Sequence, residues 1–589
     1  MKKLNSKVIN IIKKYTETTK ETVSTVLERF SLTEKLVFFA IFIVFIFSCL
    51  NILYILNQKI LVTVPAHGGS LSEGVIGTPR YINPILAISD ADRDMTALVY
   101  SGLLRYTAEG DLVPDLAESY TVSDDGTVYT FNIKPDIKFH DGTEITADDI
   151  AFTIEKATDP VIKSPKLANW KSVKVKVINQ KQIEFSLPQP YQPFLSNLTT
   201  GILPKHLWED LSDENFPFSI YNSEPIGSGP YKYTSLTRDS SGIISFYTLT
   251  SFDGFSIGEP YIKNLYIHFY SNEKDLNNSL KNGEIESASG LSAASLDAIK
   301  SNKNLNINRI PLSHIFGFFL NQSQNQLFTQ SEIRTALDDS LDRNRIVNES
   351  LSGYGEKLTS PIPSELLPIN YLGNANSEAT TTDTVDTIKN KLAKAGWKLN
   401  SKTGVLEKIV KKITYQFSFS ISTSNSPELR TAAQIAKESW EKIGAKVEIK
   451  VFDLSELNQN VIRPRKFDTL LFGEVVGRDL DLYGYWHSSQ RVGSGLNLAG
   501  YANAKVDKIL EDARKINDKN LRDQKYLDFE KEIRKDLPAI FSHSHEFVYV
   551  LPTKINDFKI NIMTNQAERF LDINSWYVET DNIWRFLNK

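Results

Sequence analysis

The sequence predicts a mixed α/β protein of several domains, preceded by one transmembrane helix. The chain has 589 residues, more than one hydrophobic core usually serves, and its 41% hydrophobic and 23% charged residues are typical of folded globular proteins. Near the N-terminus, a run of 21 residues contains no charge. Beyond that run, strand-like and helix-like patterns alternate without a fixed repeat, which favours an α/β architecture over a solenoid or a propeller.

The uncharged run, Leu36–Leu56, is long enough to cross a membrane once, because a helix rises about 1.5 Å per residue and a hydrocarbon core is roughly 30 Å thick. Its apolarity on all sides disfavours a buried core helix, and the 35 residues before it disfavour a cleaved signal peptide. Eight Lys and Arg residues precede the run, whereas only Lys59 follows it closely, so the N-terminus is predicted to be cytoplasmic. We therefore predict a basic cytoplasmic segment at 1–35, a retained helix at 36–56 and a linker at 57–67, with the rest outside the membrane.

Charge and cysteine content exclude several functions. Beyond residue 59, the chain holds 58 Lys and Arg against 67 Asp and Glu. An acidic protein of this kind lacks the basic patch that nucleic-acid binding requires, so we predict no nucleic-acid partner. The only cysteine, Cys49, lies in the apolar run. The folded part therefore offers neither a disulfide nor a thiolate metal site.

Local patterns predict individual strands and helices. Residues 129–134 alternate between apolar and polar side chains, and residues 173–177 do the same, which predicts two half-buried strands. Thr146 followed by Asp149 resembles a capping box and predicts the start of a helix. A second helix is predicted near residues 432–443.

Two short motifs suggest catalysis or metal binding, and both have simpler explanations. Residues 254–258 fit the G-x-S-x-G nucleophile elbow, but a strand instead of a helix is predicted to follow, so we interpret Ser256 as a loop residue. His543 and His545 lie two apart on a predicted strand, Ile540–Leu551, and no third ligand is identifiable by spacing. The sequence therefore predicts no catalytic residue, no metal site and no cofactor.

Longer motifs resemble a known family. The segment Ala117–Asp149, AESYTVSDDGTVYTFNIKPDIKFHDGTEITADD, closely resembles the signature of the family 5 extracellular solute-binding proteins, the oligopeptide and dipeptide receptors of ABC importers. Further matches follow in the family's order: PIGSGPY at 225–231, IRTAL at 333–337 with Asp342-Arg343, AGW at 395–397, DLY at 481–483, WHS at 486–488 and Gly500-Tyr501. The resemblance covers about residue 68 to the C-terminus.

The resemblance implies a periplasmic-binding-protein type II fold, a bilobal structure that closes over its ligand by hinge motion, with the extra domain typical of this family. Three domains follow by analogy. Domain I comprises residues 68–104, 223–314 and 546–589, domain II comprises residues 105–222, and domain III comprises residues 315–545.

The implied function is the capture of a solute, with a peptide as the first choice, and its delivery to the permease subunits of an ABC transporter. The N-terminal helix would attach this receptor to the membrane, and a monomer is expected. Three alternatives remain: a receptor for a metal chelate or a sugar, a surface hydrolase that uses Ser256 or the histidine pair, and a structural surface protein with an unused cleft.

The resemblance also implies two walls of a ligand site. The spacing from Pro84 to Gly102 matches the family's first segment, in which an extended edge follows the ligand backbone. The second wall is the predicted loop from Glu474 to Asp479 together with residues that follow it in the sequence. The candidate ligand-binding residues are Ile88, Ser89, Asp90, Glu474, Val476, Gly477, Asp479, Asp481, Trp486 and His487.

One departure from the family concerns the ligand's ammonium group. In peptide receptors of the family, an Asp three residues before the D-P-D type motif binds that group, and the corresponding position here is Val476. We therefore expect a nearby carboxylate to supply the counter-charge, with Glu474 as the first choice.

Overall fold

The computed structural model describes residues 30–367, 384–493 and 495–584. The chain forms two compact units, one from residues 1–66 with 579–589 and one from residues 67–578. Most of the predicted basic segment, residues 1–29, lies outside the described residues.

The first unit contains the predicted membrane helix. Helix α1 (Leu32–Ile60) begins at a capping box between Ser31 and Glu34, and its stretch Leu32–Ile55 is long and apolar enough to cross a membrane. The segment predicted as a linker continues α1 to Ile60 and then forms strand β1 (Leu61–Ala66), which pairs antiparallel with the last strand, β23 (Glu579–Trp584).

The second unit is built from strands β2 to β22. They are β2 (Gly68–Ile76), β3 (Leu104–Tyr106), β4 (Leu112–Pro114), β5 (Ala117–Val122), β6 (Val128–Ile133), β7 (Lys174–Asn179), β8 (Gln182–Ser186), β9 (Tyr231–Arg238), β10 (Ile244–Ser251), β11 (Ile262–Tyr270), β12 (Ser287–Ser289), β13 (Leu305–Pro311), β14 (His314–Leu320), β15 (Gly355–Lys357), β16 (Lys398–Leu399), β17 (Leu406–Val410), β18 (Ile413–Gln416), β19 (Ser418–Ser424), β20 (Lys446–Phe452), β21 (Thr469–Val475) and β22 (Ala539–Pro552).

The longer helices of this unit all have at least eight residues. They are α2 (Asp90–Val99), α3 (Ala147–Thr158), α4 (Glu273–Asn282), α5 (Ser331–Ser340), α6 (Arg343–Ser350), α7 (Val385–Lys394), α8 (Pro427–Lys442), α9 (Ala504–Ala513) and α10 (Lys519–Asp536). Shorter helical segments include Leu167–Trp170, Phe194–Asn197, Lys205–Trp208 and Tyr483–Trp486.

One large sheet organises the second unit. Its strand order is β20-β19-β21-β14-β22-β12-β2-β11-β10-β9, with β13 and β15 also paired to β22. The 14-residue strand β22 joins the two halves, because its first part pairs with β14 and its last part pairs with β13. Strands β5, β6, β8 and β7 form a separate four-stranded antiparallel sheet. The three-domain division stays a prediction.

Helices cover both faces of the β14, β21 and β22 region. Phe319 of β14 and Leu470 of β21 join α9 and α10 in one hydrophobic core, whereas Phe318 and Leu471 join α5 and α8 in another. This alternation follows from the strand period of two and places a helical layer on each side of the sheet. The predicted mixed α/β class is confirmed.

The local predictions agree with the described elements. Strand β6 and helices α3 and α8 occur where the patterns predicted them, and Thr146 with Asp149 forms the expected capping box. Strand β7 differs in one respect, because it is more exposed than a half-buried strand. It lies at the edge of its sheet, with β8 as its only neighbour there among the described strands.

Candidate functional site

A cavity of about 440 Å³ with both polar and apolar lining lies within the second unit. Segments that are far apart in the sequence line it, including the outward face of α2 with the residues after it, the turn Thr199–Gly201, the turn Gly477–Asp479 and the stretch Thr564–Leu571. The volume falls in the range typical of small-molecule sites.

Helix α2 positions one wall of the cavity. Ser89 and Asp92 form its capping box: the Ser89 hydroxyl accepts from the Asp92 amide at 3.1 Å, and the Ser89 amide donates to the Asp92 carboxylate at 3.0 Å. Arg93 and Thr96 then lie along the cavity, and Tyr100 follows directly after the helix. Because the helix rises about 1.5 Å per residue, this wall is roughly 10 Å long between Arg93 and Tyr100.

The glycines of the PIGSGPY motif hold the end of α2 in place. The Gly229 amide donates to the Val99 carbonyl at 2.8 Å. A Cβ atom on Gly227 would lie 2.1 Å from the same carbonyl oxygen, so only glycine allows this close approach. These glycines therefore have a structural role at the end of α2.

Two arginines of the lining hold hydrogen-bond donors that face no acceptor. Arg478 donates through Nε to Glu568 at 2.9 Å, but its Nη1 has no partner among the described residues. Arg105 donates to Asp572 at 2.8 Å through Nη1, and its Nε is likewise unpaired within the described part of the chain. Both nitrogen atoms are enclosed by protein, so a ligand in the cavity would meet the positive charge of these arginines but would not reach these two donors.

Two carboxyl groups of the lining are destabilised in their charged form. Asp479 is half-buried, and its enclosure by protein raises its pKa, with the charge of Asp481 adding to the effect. Burial also raises the pKa of Asp115, whose carboxylate accepts a hydrogen bond from the Ser256 hydroxyl. A ligand cation beside either group would favour the ionised carboxylate again.

Gly477 and Asp479 line the cavity, as the sequence predicted. Glu474 does not belong to the lining that we find in the described residues, because strand β21 continues through Val475 where a loop was expected. The Glu474 side chain therefore follows the strand alternation toward the core that contains Leu470. Its Oε1 atom has no described partner, and burial raises its pKa well above the usual range.

The remaining residues of the second wall have structural contacts. Val476 is 1% exposed; its amide donates to the Ser313 carbonyl at 2.9 Å, and the Ser313 hydroxyl donates to the Val476 carbonyl at 2.6 Å. The Asp481 carboxylate forms an ion pair with the Arg514 guanidinium at 2.6 Å, so it already has a protein partner. Trp486 is 1% exposed within the core, and the buried His487 ring stacks on Tyr483 at 4.0 Å between ring centroids.

The first wall differs in conformation from the prediction. Ile88 and Ser89 precede α2, and Asp90 begins it, so the predicted extended edge is wrong at Asp90. Asp90 is exposed and pairs with Arg93 at 3.2 Å. The sequence signal for this helix start was present, because Ser89 and Asp92 have the same spacing as Thr146 and Asp149.

Sequence reasoning missed most of the charged lining. Arg478 lies between the predicted residues Gly477 and Asp479, and Arg93 lies inside the segment from Pro84 to Gly102. The sequence therefore contained enough information to propose both as lining residues. Lys166 and Arg105 carried no recognisable local signal.

The two motifs considered for catalysis or metal binding have structural contacts. Residues 254–258 form turns, as predicted, and the Ser256 hydroxyl contacts Asp115. His543 and His545 both stack on Phe316, at 4.9 and 4.5 Å between ring centroids. Burial lowers the pKa of His543 to about 3 and that of His545 to about 4, so both rings are neutral at pH 7. The described residues contain no group of three or more metal-ligating side chains.

A mixed α/β fold around a ligand-sized cavity agrees with the solute-binding receptor of the type II periplasmic-binding-protein fold that the resemblance implies. Residues 111–493 match the model of the bacterial extracellular solute-binding proteins, family 5 Middle. The chain belongs to this family of solute-binding proteins.

Named relatives match most of this chain. The oligopeptide-binding protein AppA of Bacillus subtilis is 29% identical over 84% of this chain and 90% of its own length. Its structure with a nonapeptide has a TM-score of 0.63 at 26% identity and covers 88% of this chain and all of that one. The probable D,D-dipeptide-binding periplasmic protein DdpA of Escherichia coli K12 is 26% identical over 84% of this chain and 92% of its own. The structure of NikZ from Campylobacter jejuni with Ni(L-His) has a TM-score of 0.63 at 26% identity and covers 86% of this chain and 99% of that one.

Proposed function

We propose that the protein is an extracytoplasmic receptor for short peptides. It binds the peptide in the cavity that α2 helps to line and delivers it to the permease of an ABC transporter. The observation that carries the proposal is a ligand-sized cavity whose lining brings arginine side chains and the Asp479 carboxyl group together, with no ion-pair partner for Asp479 among the described residues. A peptide has complementary groups, since it combines carbonyl and carboxylate acceptors with an ammonium donor. The names of AppA and DdpA support a peptide as cargo.

The cavity dimensions favour a peptide of two or three residues. An extended chain spans at most about 3.3–3.6 Å per residue, so a tripeptide is roughly as long as the wall from Arg93 to Tyr100. A metal chelate is the alternative cargo, since NikZ was solved with Ni(L-His).

We further propose that the receptor has no catalytic function. In the described residues, Ser256 contacts an acid instead of a histidine base, and His543 and His545 are buried against Phe316. An activated serine needs a general base within hydrogen-bond reach.

We expect Asp479 to take the counter-charge role first assigned to Glu474. Calorimetry should compare a free-amine dipeptide with its N-acetylated form on the full-length protein. Because the Asp479 carboxylate is enclosed, losing its ion pair with the ammonium should cost about 2–5 kcal/mol of binding, so acetylation should weaken binding to the unmodified receptor strongly. In Asp479→Asn, the two ligands should bind almost equally.

Glu474→Gln is the matched control, because it neutralises a buried carboxyl group outside the described lining. It should keep the full preference for the free amine. If Glu474→Gln removes the preference and Asp479→Asn keeps it, the assignment to Asp479 is wrong.

We propose that α1 is a retained anchor with its N-terminus in the cytoplasm and the second unit outside. Its Leu32–Ile55 stretch has the length and hydropathy of a single span, and basic residues precede it. The intact mass of the purified protein should therefore match the full chain, and the protein should remain with membranes after a high-salt wash. A mature chain that begins at a lipid-modified Cys49 would contradict retention of the helix.

A further inference from the structure

The charged groups around the cavity are unevenly compensated. Arg105 pairs with Asp572, and Arg478 pairs with Glu568. Within the described ranges, Arg93 pairs only with the exposed Asp90. Lys166 also lines the cavity, and it has no ion-pair partner among the residues that the structure describes.

Arg93 and Lys166 form a basic pair at one part of the cavity wall. Enclosure by protein lowers the pKa of Lys166, and the nearby Arg93 charge lowers it further. Two cations in the wall of one cavity repel each other, and an added anion would stabilise both. The carboxyl groups of the lining have other roles: Asp115 accepts a hydrogen bond from Ser256, Glu568 pairs with Arg478, and Asp479 is assigned to the ligand's ammonium group.

The charges of the lining favour the same kind of ligand. Its cations, Arg93, Arg105, Lys166 and Arg478, outnumber its carboxyl groups, Asp115, Asp479 and Glu568. A ligand with an additional carboxylate would be favoured by this excess of positive charge over a neutral peptide.

We propose that the cavity selects short acidic peptides, which carry a side-chain carboxylate in addition to the terminal one, and that Arg93 and Lys166 read this extra charge. The inference rests on the proposed function, because it specifies which peptides the same cavity prefers. A basic side chain placed beside Arg93 and Lys166 would be repelled, so selection acts in both directions.

The test uses three dipeptides of similar size: alanyl-glutamate, alanyl-glutamine and alanyl-lysine. Calorimetry on the full-length protein in detergent micelles should give at least about tenfold tighter binding for alanyl-glutamate than for its neutral isostere, with alanyl-lysine weakest. Lys166→Gln should reduce the preference, and Lys166→Glu should shift it toward alanyl-lysine. Lys171→Gln, at an exposed lysine five residues away, should leave it unchanged.

The outcomes separate the inference from the proposed function. Equal binding of alanyl-glutamate and alanyl-glutamine would overturn acidic selection and leave the peptide receptor in place. An undiminished preference in both Lys166 variants would overturn the assignment to the basic pair. If no peptide binds, with or without an acidic side chain, the peptide receptor itself is overturned.

Discussion

Replacing Arg569 with methionine is expected to lower the free energy of unfolding by about 3–5 kcal/mol. The guanidinium is fully buried and lies between two carboxylates, with Asp94 of α2 at 2.7 Å and Glu73 of β2 at 3.1 Å. Tyr549 of β22 donates a further hydrogen bond to Glu73 at 2.8 Å. The substitution would leave both carboxylates buried without their cation.

The Arg569→Met defect should depend on pH. Burial raises the pKa of Glu73 and of Asp94, and the Arg569 charge opposes both shifts. Without the arginine, both pKa values rise further. An acid with a raised pKa in the folded state contributes its full stability below its unfolded pKa and loses it as the pH rises through the folded value. The defect should therefore be smaller near about pH 4 than near pH 8.

Urea titrations of the full chain in micelles, followed by circular dichroism, would measure this effect. Arg345→Met is the matched control, because Arg345 pairs with Glu349 and Glu438 at the surface, where ion pairs contribute little. Adding Glu73→Gln and Asp94→Asn to Arg569→Met should restore part of the lost stability. A defect that is equal at both pH values, with no recovery in the triple variant, would mean that lost packing explains the result.

Local chemistry explains why some elements were predictable from the sequence. The capping box at Thr146 and the period-two pattern of β6 depend on residues within one turn or one strand, so no distant partner is needed to recognise them. The turn at 254–258 was predicted in the same way.

The cavity was less predictable because its parts meet only through long-range pairing. Asp94 and Arg569, which fix α2 against the C-terminal stretch, are 475 residues apart in the sequence. Glu474 shows the same difficulty at short range, because extending β21 to Val475 turned that side chain toward the core instead of the cavity. The resemblance correctly indicated the receptor family, and residues of the segments near 84–102 and 477–479 line the cavity. Recognising which charged residues line the cavity requires knowing how these two segments pack together in the fold.

Trp486→Ala is expected to cost about 3–5 kcal/mol of stability while leaving peptide affinity nearly unchanged. The sequence placed Trp486 in the ligand site, but its ring is 1% exposed and packs against Phe541, with ring centroids 5.9 Å apart, and against Phe529 at 6.3 Å. Truncation would leave a large cavity in the core beneath β22, because rigid strands and helices close such a space only partly. Phe218→Ala is the control, since that ring is 76% exposed and its loss should have little effect. Thermal unfolding gives the stability, and calorimetry well below the unfolding midpoint gives the affinity. An affinity loss without a stability loss would return Trp486 to the ligand site and show that its burial does not reflect a core role.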